Sequence, residues 1–247
     1  MLWLQMLTIL LMLDSVISLF SGLFPVRSLH ITKAAPADFE NLAQMFTKSF
    51  WLDKRNGSKI SNSRARTLES QQLAEFKKRY TFQRMSILLK AEIPFKGINN
   101  KPTQPQVSTT TQLLLNTPDP SPSNTQIIGC AAVDVQPLYD FETEQKLPAC
   151  AVLSNLAITK NFRGRGVAKS LVKSLEFQVQ TILKQQFIYL KVDSTNKRAI
   201  NLYKKSKYKE VWRERTTSLC PVMYEGGEFI MDDVTTTVLV MRKELSA

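Results

Sequence analysis

The chain has 247 residues, 43% of them hydrophobic, which is long enough for one substantial domain with a buried core. Its 33 Lys and Arg residues outnumber 21 Asp and Glu, and the resulting formal charge of +12 favours an acidic or phosphate-bearing partner. The single histidine, His30, leaves almost no material for a histidine-rich zinc site or a Ser-His-Asp triad. Cys130, Cys150 and Cys220 lie far apart without a C-x-x-C pair, which favours reduced, buried thiols over a disulfide framework.

The chain begins with a segment that we interpret as a leader. Residues 1–13 are strongly apolar until Asp14 interrupts them, a pattern too short for a membrane span and typical of a signal-peptide core. From Ser15 to Ala37 there is no acidic residue, as in a transit-like stretch. We therefore expect residues 1–28 to act in routing, and we expect no stable membrane span once this leader is removed.

A strand and two helices are predicted next. Residues 29–35 alternate apolar and polar side chains, as an edge strand does. Pro36 and Asp38 start a helix, and Thr67 is predicted to be the N-cap of a second one. The inward positions of the two helices are Phe39, Leu42, Phe46 and Phe50 in the first, and Leu68, Leu73, Phe76 and Tyr80 in the second.

The composition changes between residues 94 and 125, where Pro, Thr, Ser, Asn and Gln dominate. Such a segment cannot bury enough apolar surface to offset the cost of ordering it. We therefore predict a flexible insertion at 94–125 inside a single domain that runs from 29 to 247.

The remaining pattern predicts an α/β fold around a mixed sheet. Before the insertion, residues 85–93 have the pattern of a strand. After it, strands are predicted at 126–135, 149–158, 187–193, 208–219 and 235–245, with helices from about 166 to 184 and at 196–207. The order is therefore strand, two helices, three strands, helix, strand, helix, two strands.

The segment NFRGRGVAKS joins the second of these later strands to a helix. Its glycines and the unpaired N–H groups at the start of the helix can bind phosphate oxygens, and Arg163 and Arg165 add positive charge. The segment does not fit G-x-x-x-x-G-K-[ST], because its glycine spacing is wrong, and it does not fit G-x-G-x-x-G, because position 169 is Lys. The alternative interpretation is a basic helix cap without a ligand.

RGRGVA resembles the R/Q-x-x-G-x-G/A pyrophosphate loop of the Gcn5-related N-acetyltransferases, the GNAT family. Asn196 to Tyr203 matches the N-x-x-A-x-x-L-Y helix of that family, and LSNLAI at 153–158 resembles its splayed fourth strand. The order of elements agrees over residues 29–245, so the resemblance implies a splayed central sheet flanked by helices. LSNLAI, YLKVDSTN and the leader are most similar to the plastid-type protein N-acetyltransferases, which implies a plastid location, with the secretory pathway and the cytoplasm as alternatives.

The resemblance implies acetyl-CoA as cosubstrate, no metal, and a protein or peptide amine as acceptor. A backbone N–H of the fourth strand would meet the thioester carbonyl, and the pantetheine would lie between the strands at 150–159 and 187–193. The cofactor-binding residues that it implies are Asn155, Leu156, Ala157, Ile158, Arg163, Gly164, Arg165, Gly166, Val167, Ala168, Asn196 and Tyr203.

The resemblance also assigns the chemistry. Tyr203 is the candidate general acid, because a phenol can protonate the leaving thiolate; a tyrosine that only packs in the core is the alternative. Asn196 is a cofactor contact or a simple N-cap. Some relatives carry a glutamate where Lys191 stands, so the nearest carboxylate, Asp193, is the candidate base, with a turn residue or solvent as alternatives. Lys207 occupies the usual glycine position after the helix, where a left-handed lysine costs about 1 kcal/mol, so we expect the turn to be rebuilt.

The leading hypothesis is an N-acetyltransferase acting on protein N-terminal α-amino groups, lysine ε-amino groups, or both. A catalytically degenerate CoA-binding sensor or interaction protein and a small-molecule amine acetyltransferase are the alternatives. No recognition-helix motif or aromatic-rich basic strand favours a specific nucleic acid as partner. The acceptor-binding regions implied by the resemblance, near 51–66 and 216–234, carry mixed charge and indicate no single substrate.

Overall fold

A computed structural model of the chain describes residues 28–52, 62–81, 85–94, 125–140, 143–223 and 229–245. The predicted leader and insertion lie outside these residues, apart from the edge residues 28, 94 and 125. The strands are β1 (His30–Lys33), β2 (Ser86–Pro94), β3 (Thr125–Asp140), β4 (Gln145–Ile158), β5 (Phe187–Asp193), β6 (Lys209–Met223) and β7 (Phe229–Glu244). The helices are α1 (Phe39–Phe46), α2 (Asn62–Tyr80), α3 (Val167–Thr181) and α4 (Lys197–Lys205). The predicted order of elements is confirmed.

The strands form one seven-stranded sheet in the order β1-β2-β3-β4-β5-β7-β6. All neighbours are antiparallel except β4 and β5, which are parallel. The reason is that α3 connects β4 to β5 as a crossover, and a crossover returns the chain in the same direction. The sheet is therefore mixed and mostly antiparallel, as the α/β prediction required.

The only parallel pair among the described strands is also short. β4 and β5 pair through Ala151–Leu153 and Ile188–Leu190, and after that they separate. At the same place β4 carries a bulge against β3, since the register shifts between the pairs Ser154↔Ala132 and Ala157↔Cys130. A bulge bends its strand. The sheet consequently opens into a split between β4 and β5, as the resemblance implied for the fourth strand.

Each face of the sheet carries its own core. Helices α3 and α4 cover one face, where Leu171, Leu175 and Ile200 pack with strand residues. The opposite face packs against α1 and α2 through Phe39, Phe46 and Phe76, and a further cluster around Trp212 lies among the strands. None of the described helices is both long enough and apolar enough to span a bilayer.

The prediction that Thr67 caps the second helix is wrong. Helix α2 begins at Asn62, and the Thr67 hydroxyl donates to the carbonyl of Ser63 at 3.1 Å, inside the helix. The polar segment before Thr67 contains Arg and Ala, which favour helix, so the helix extends beyond the first apolar residue. Leu68 and Phe76 are buried as predicted.

The turn after α4 keeps its ordinary geometry with a lysine in it. Lys207 has φ +70°, its N–H donates to the carbonyl of Lys204, and the N–H of Tyr208 donates to the carbonyl of Tyr203. These two bonds form a Schellman motif, in which the left-handed position usually holds glycine. The turn is therefore not rebuilt, contrary to the prediction, because Lys207 itself takes the left-handed position.

Candidate active site

The loop between β4 and α3 has the shape that its glycines predict. Gly164 and Gly166 adopt φ +78° and +85°, angles that residues other than glycine rarely adopt. An added Cβ at Gly166 would meet no atom within 4 Å, so the space in front of it is open. Gly166 is the N-cap of α3 and provides no side-chain hydrogen bond, so the first N–H groups of that helix lie next to this space without intrahelical partners.

Arg163 shapes this loop from within. Its Nε donates to the carbonyl of Ile158 at 2.9 Å, and its Nη2 donates to the carbonyl of Ser49 at 2.7 Å. The guanidinium therefore ties the loop to the end of β4 and to the π-helical turn Thr47–Leu52 that follows α1. The guanidinium of Arg165 lies 5.6 Å from the ring centre of Phe162, a cation–π contact.

A cleft of about 630 Å³ opens in front of the loop. It brings together the end of β4, the glycine loop and the start of α4, which are separate in the sequence. The predicted cofactor residues that line it are Leu156, Ala157, Ile158, Arg163, Gly164, Gly166, Val167, Ala168 and Asn196. Asn155, Arg165 and Tyr203 are not part of its described wall.

The cleft is positively charged. Arg163, Lys169, Arg198 and Lys205 line it, and no acidic residue stands among the described residues of its wall. Lys169 lies in the first turn of α3, where a cation opposes the helix dipole at a cost of about 0.3–1 kcal/mol. A bound anion would reverse that cost, so the open space at Gly166, the helix N–H groups and these cations fit the diphosphate of CoA.

The position of Asn196 fits both roles that the sequence left open, a helix N-cap and a cofactor contact. Its Oδ1 accepts the N–H of Ala199 at 3.1 Å, which caps α4. It also lines the cleft.

Tyr203 lies behind the cleft wall, next to Leu202, which does line the cleft. It is 6% exposed and packs in the core, with its ring centre 5.7 Å from that of Tyr208. Burial raises the pKa of the Tyr203 hydroxyl above its ordinary value, so the proton stays on the oxygen at neutral pH. This protonation state is the one that a general acid requires, although the raised pKa also makes the hydroxyl a weaker acid.

The carboxylate of Asp193 is engaged in a turn. Its Oδ1 accepts the backbone N–H of Thr195 at 2.7 Å and the Thr195 hydroxyl at 2.6 Å. Asp193 is not among the described residues that line the cleft.

Lys191 has a partner that the sequence analysis missed. Its Nζ lies 2.5 Å from Oε1 of the buried Glu214 on β6. Trp212 and Glu214 both face inward on this strand. The sequence carried a signal for this pair. Glu214 lies two positions after Trp212 on the same strand and so shares its inward face, where a buried carboxylate needs a partner.

A second polar cluster was also missed, and it lies on the face that α2 covers. The hydroxyl of Tyr80, at the end of α2, contacts Asp134 of β3 and Asn155 of β4. Arg79 forms an ion pair with the same Asp134. The signal in the sequence was Asp134, a charged residue that directly follows an apolar run within β3.

Comparison with known proteins bears on this arrangement. The family model described as "Acetyltransferase (GNAT) family" matches residues 117–208, which include the glycine loop and the helix that Asn196 caps. This chain has the GNAT fold. A search of curated protein sequences found no match.

Solved structures with the GNAT fold align over most of the chain. Arabidopsis thaliana NAA60 in complex with acetyl-CoA is 16% identical, with a TM-score of 0.51, over 89% of this chain and 100% of that one. The same protein with a bisubstrate analogue is also 16% identical, with a TM-score of 0.51, over 88% of this chain and 98% of that one. An N-acetyltransferase from Staphylococcus aureus is 12% identical, with a TM-score of 0.52, over 89% of this chain and 99% of that one. Among the described residues, no group of His, Cys, Asp and Glu is arranged to hold a metal ion.

Proposed function

We propose that the chain is an acetyl-CoA-dependent N-acetyltransferase that acetylates protein N-terminal α-amino groups, lysine ε-amino groups, or both. The observation that carries this proposal is the basic cleft that joins the end of β4, the glycine loop and the start of α4. A GNAT neighbour in complex with acetyl-CoA supports the choice of cosubstrate. The protein acceptor is supported by the resemblance of the β4 and β5 sequences to protein acetyltransferases.

Two groups of cleft residues would bind the two ends of acetyl-CoA. The N–H groups from Gly166 to Ala168 and the cations around them would hold the diphosphate. Leu156, Ala157 and Ile158 offer an apolar wall for the pantetheine, leading toward the split between β4 and β5. Positioning at both ends would convert the transfer into an effectively intramolecular step.

The reaction forms a bond between the acceptor nitrogen and the acyl carbon and breaks the bond from that carbon to sulfur. The nitrogen loses a proton, and the leaving thiolate gains one. We assign the second role to Tyr203, whose buried hydroxyl keeps its proton. Asp193 or a water molecule would take the proton from nitrogen.

Two substitutions separate binding from chemistry. Gly166→Asp places a side chain and a negative charge in the open space, so CoA affinity should fall more than about 100-fold while the fold is retained. Tyr203→Phe should leave CoA affinity within about twofold and lower turnover about 100-fold, as for a lost general acid. Calorimetry with CoA and thiol release with a library of peptide amines measure the two effects.

Asn161→Asp is the matched control for charge, because Asn161 is exposed beside the loop and is not among the described residues that line the cleft. It should change CoA affinity by no more than about threefold. If Gly166→Asp binds CoA as the control does, the cofactor assignment is wrong. If Tyr203→Phe keeps full turnover, another group or water is the acid.

One observation favours a second candidate, a CoA-binding protein without catalysis. Lys191 stands where some GNAT proteins carry a glutamate, and its ammonium is paired with Glu214. This candidate predicts CoA binding by calorimetry with no thiol release for any peptide or polyamine acceptor. Thiol release with any amine excludes it.

The terminal leader and the insertion enter the proposal as accessory segments. We propose that residues 1–28 route the chain to the plastid, and a reporter fused to residues 1–35 that stays in the cytosol would contradict this. Deletion of residues 97–123 should leave the melting temperature and the CoA affinity of the remaining chain unchanged.

A further inference from the structure

The bulge in β4 leaves two peptide groups outside the strand ladders. Ser154 pairs with Ala132 and Ala157 pairs with Cys130, so Asn155 and Leu156 have no partner residue on β3. The β4–β5 pairing has already ended at Leu153, so they have none on the described part of β5 either. Backbone N–H groups at residues that no ladder pair uses, at the mouth of a split, are suited to bind an acyl oxygen.

Asn155 is held at this point from two sides. Its backbone adopts φ +51°, and its carbonyl accepts the Cys130 thiol at 3.3 Å. Its side-chain Nδ2 donates to the hydroxyl of Tyr80 at 3.0 Å. The left-handed conformation of the bulge is therefore coupled to a side chain on α2.

The Tyr80 hydroxyl is itself oriented by a buried carboxylate. It donates to Oδ2 of Asp134 at 3.3 Å, which leaves its lone pairs to accept the Asn155 amide. Asp134 is 5% exposed and forms an ion pair with Arg79, and the Ser154 hydroxyl also donates to it at 3.4 Å. Burial and then the charge of Asp134 raise the pKa of the Tyr80 hydroxyl, so it remains a donor.

We propose that Tyr80 is a positioning residue for acyl transfer. Through the Asn155 amide, its hydroxyl holds the bulged peptide groups of Asn155 and Leu156 in the orientation that binds the thioester carbonyl. This inference rests on the proposed function. The pyrophosphate loop is a separate part of the cleft, so the contribution of Tyr80 falls on the chemical step and not on CoA binding.

Two variants remove the same hydrogen bond from opposite ends. Tyr80→Phe deletes the acceptor oxygen, and Asn155→Gly deletes the donor while a glycine adopts φ +51° freely. Each should lower kcat about tenfold with CoA affinity unchanged within about twofold. The double variant should be no slower than either single one, because the interaction can be lost only once.

Tyr139→Phe is the control, since Tyr139 is exposed on the β3–β4 hairpin, and it should change neither quantity. A Tyr80→Phe enzyme with wild-type kcat overturns the proposal. So does a double variant that is about 100-fold slower, since independent effects multiply. Equal losses in kcat and CoA affinity would indicate a general structural defect and would also overturn it.

NMR tests the positioning by Tyr80 without activity. The backbone amide chemical shifts of Asn155 and Leu156 should change in Tyr80→Phe, because the peptide groups lose their fixed orientation, with no change at the loop amides of 166–168. Unchanged shifts at Asn155 and Leu156 contradict the inference. Absence of thiol release in the wild-type protein would instead contradict the proposed function, and the NMR result would still decide whether Tyr80 orients the bulge.

Discussion

Replacement of Lys191 with Met should destabilise the protein, because it leaves a buried carboxylate without its counter-charge. Lys191 Nζ lies 2.5 Å from Oε1 of Glu214, and the side chains are 42% and 6% exposed. The second oxygen of Glu214 is buried and has no hydrogen-bond partner among the described residues. The lysine is therefore the main compensation that the structure offers for this charge.

The expected magnitude lies between two limits. Exposed ion pairs contribute about 0–1 kcal/mol, whereas removal of one partner from a buried pair costs about 3–5 kcal/mol. Since the lysine is partly exposed and the glutamate is not, we expect a loss of about 2 kcal/mol in the free energy of unfolding. At about 2–4 °C per kcal/mol for a domain of this size, the melting temperature should fall by about 4–8 °C.

Thermal and urea denaturation of three variants test this reasoning. Glu214→Gln added to Lys191→Met should recover at least half of the loss, because a neutral amide costs less to bury than a carboxylate. Arg213→Met is the control on the same strand, since its pair with Glu210 is 61% and 31% exposed and should contribute little to stability. A Lys191→Met protein as stable as the Arg213→Met protein would refute the argument.

Three further predictions concern single positions. Lys207→Gly should stabilise the protein by up to about 1 kcal/mol in denaturation, because release of the left-handed strain exceeds the greater entropy of glycine in the unfolded chain; a less stable variant would contradict it. Gly129→Ala should cost about 1–3 kcal/mol by overpacking, since its Cβ would lie 2.6 Å from Cδ1 of Ile158; unchanged stability would show that this side chain moves aside freely. Burial raises the pKa of the Cys130 thiol to about 12, so peptide mass spectrometry should find it unalkylated at about pH 8 until the protein is unfolded; rapid labelling in the folded protein would contradict this.

Much of the fold was predictable because its signals are local. Apolar residues that recur every two positions mark strands, and those that recur every 3.6 positions mark helices, within short stretches of sequence. The span of β5 was predicted without error. The start of α2 was predicted at Thr67, five residues too late, because a polar first turn has no apolar period to mark it. Gly164 and Gly166 were predictable in the same way, since a left-handed backbone favours glycine over other residues.

The sequence by itself determined the order of elements, the glycine loop and the capping asparagine of α4. The tertiary structure alone decided which distant side chains meet: Arg163 with the carbonyl of Ser49, Lys191 with Glu214, and Tyr80 with Asp134 and Asn155. These pairs depend on the strand order β5-β7-β6, on the register across β3 and β4, and on the bulge between them. No local pattern encodes such relations, because each contact forms between segments whose separation along the chain is closed only when the sheet assembles.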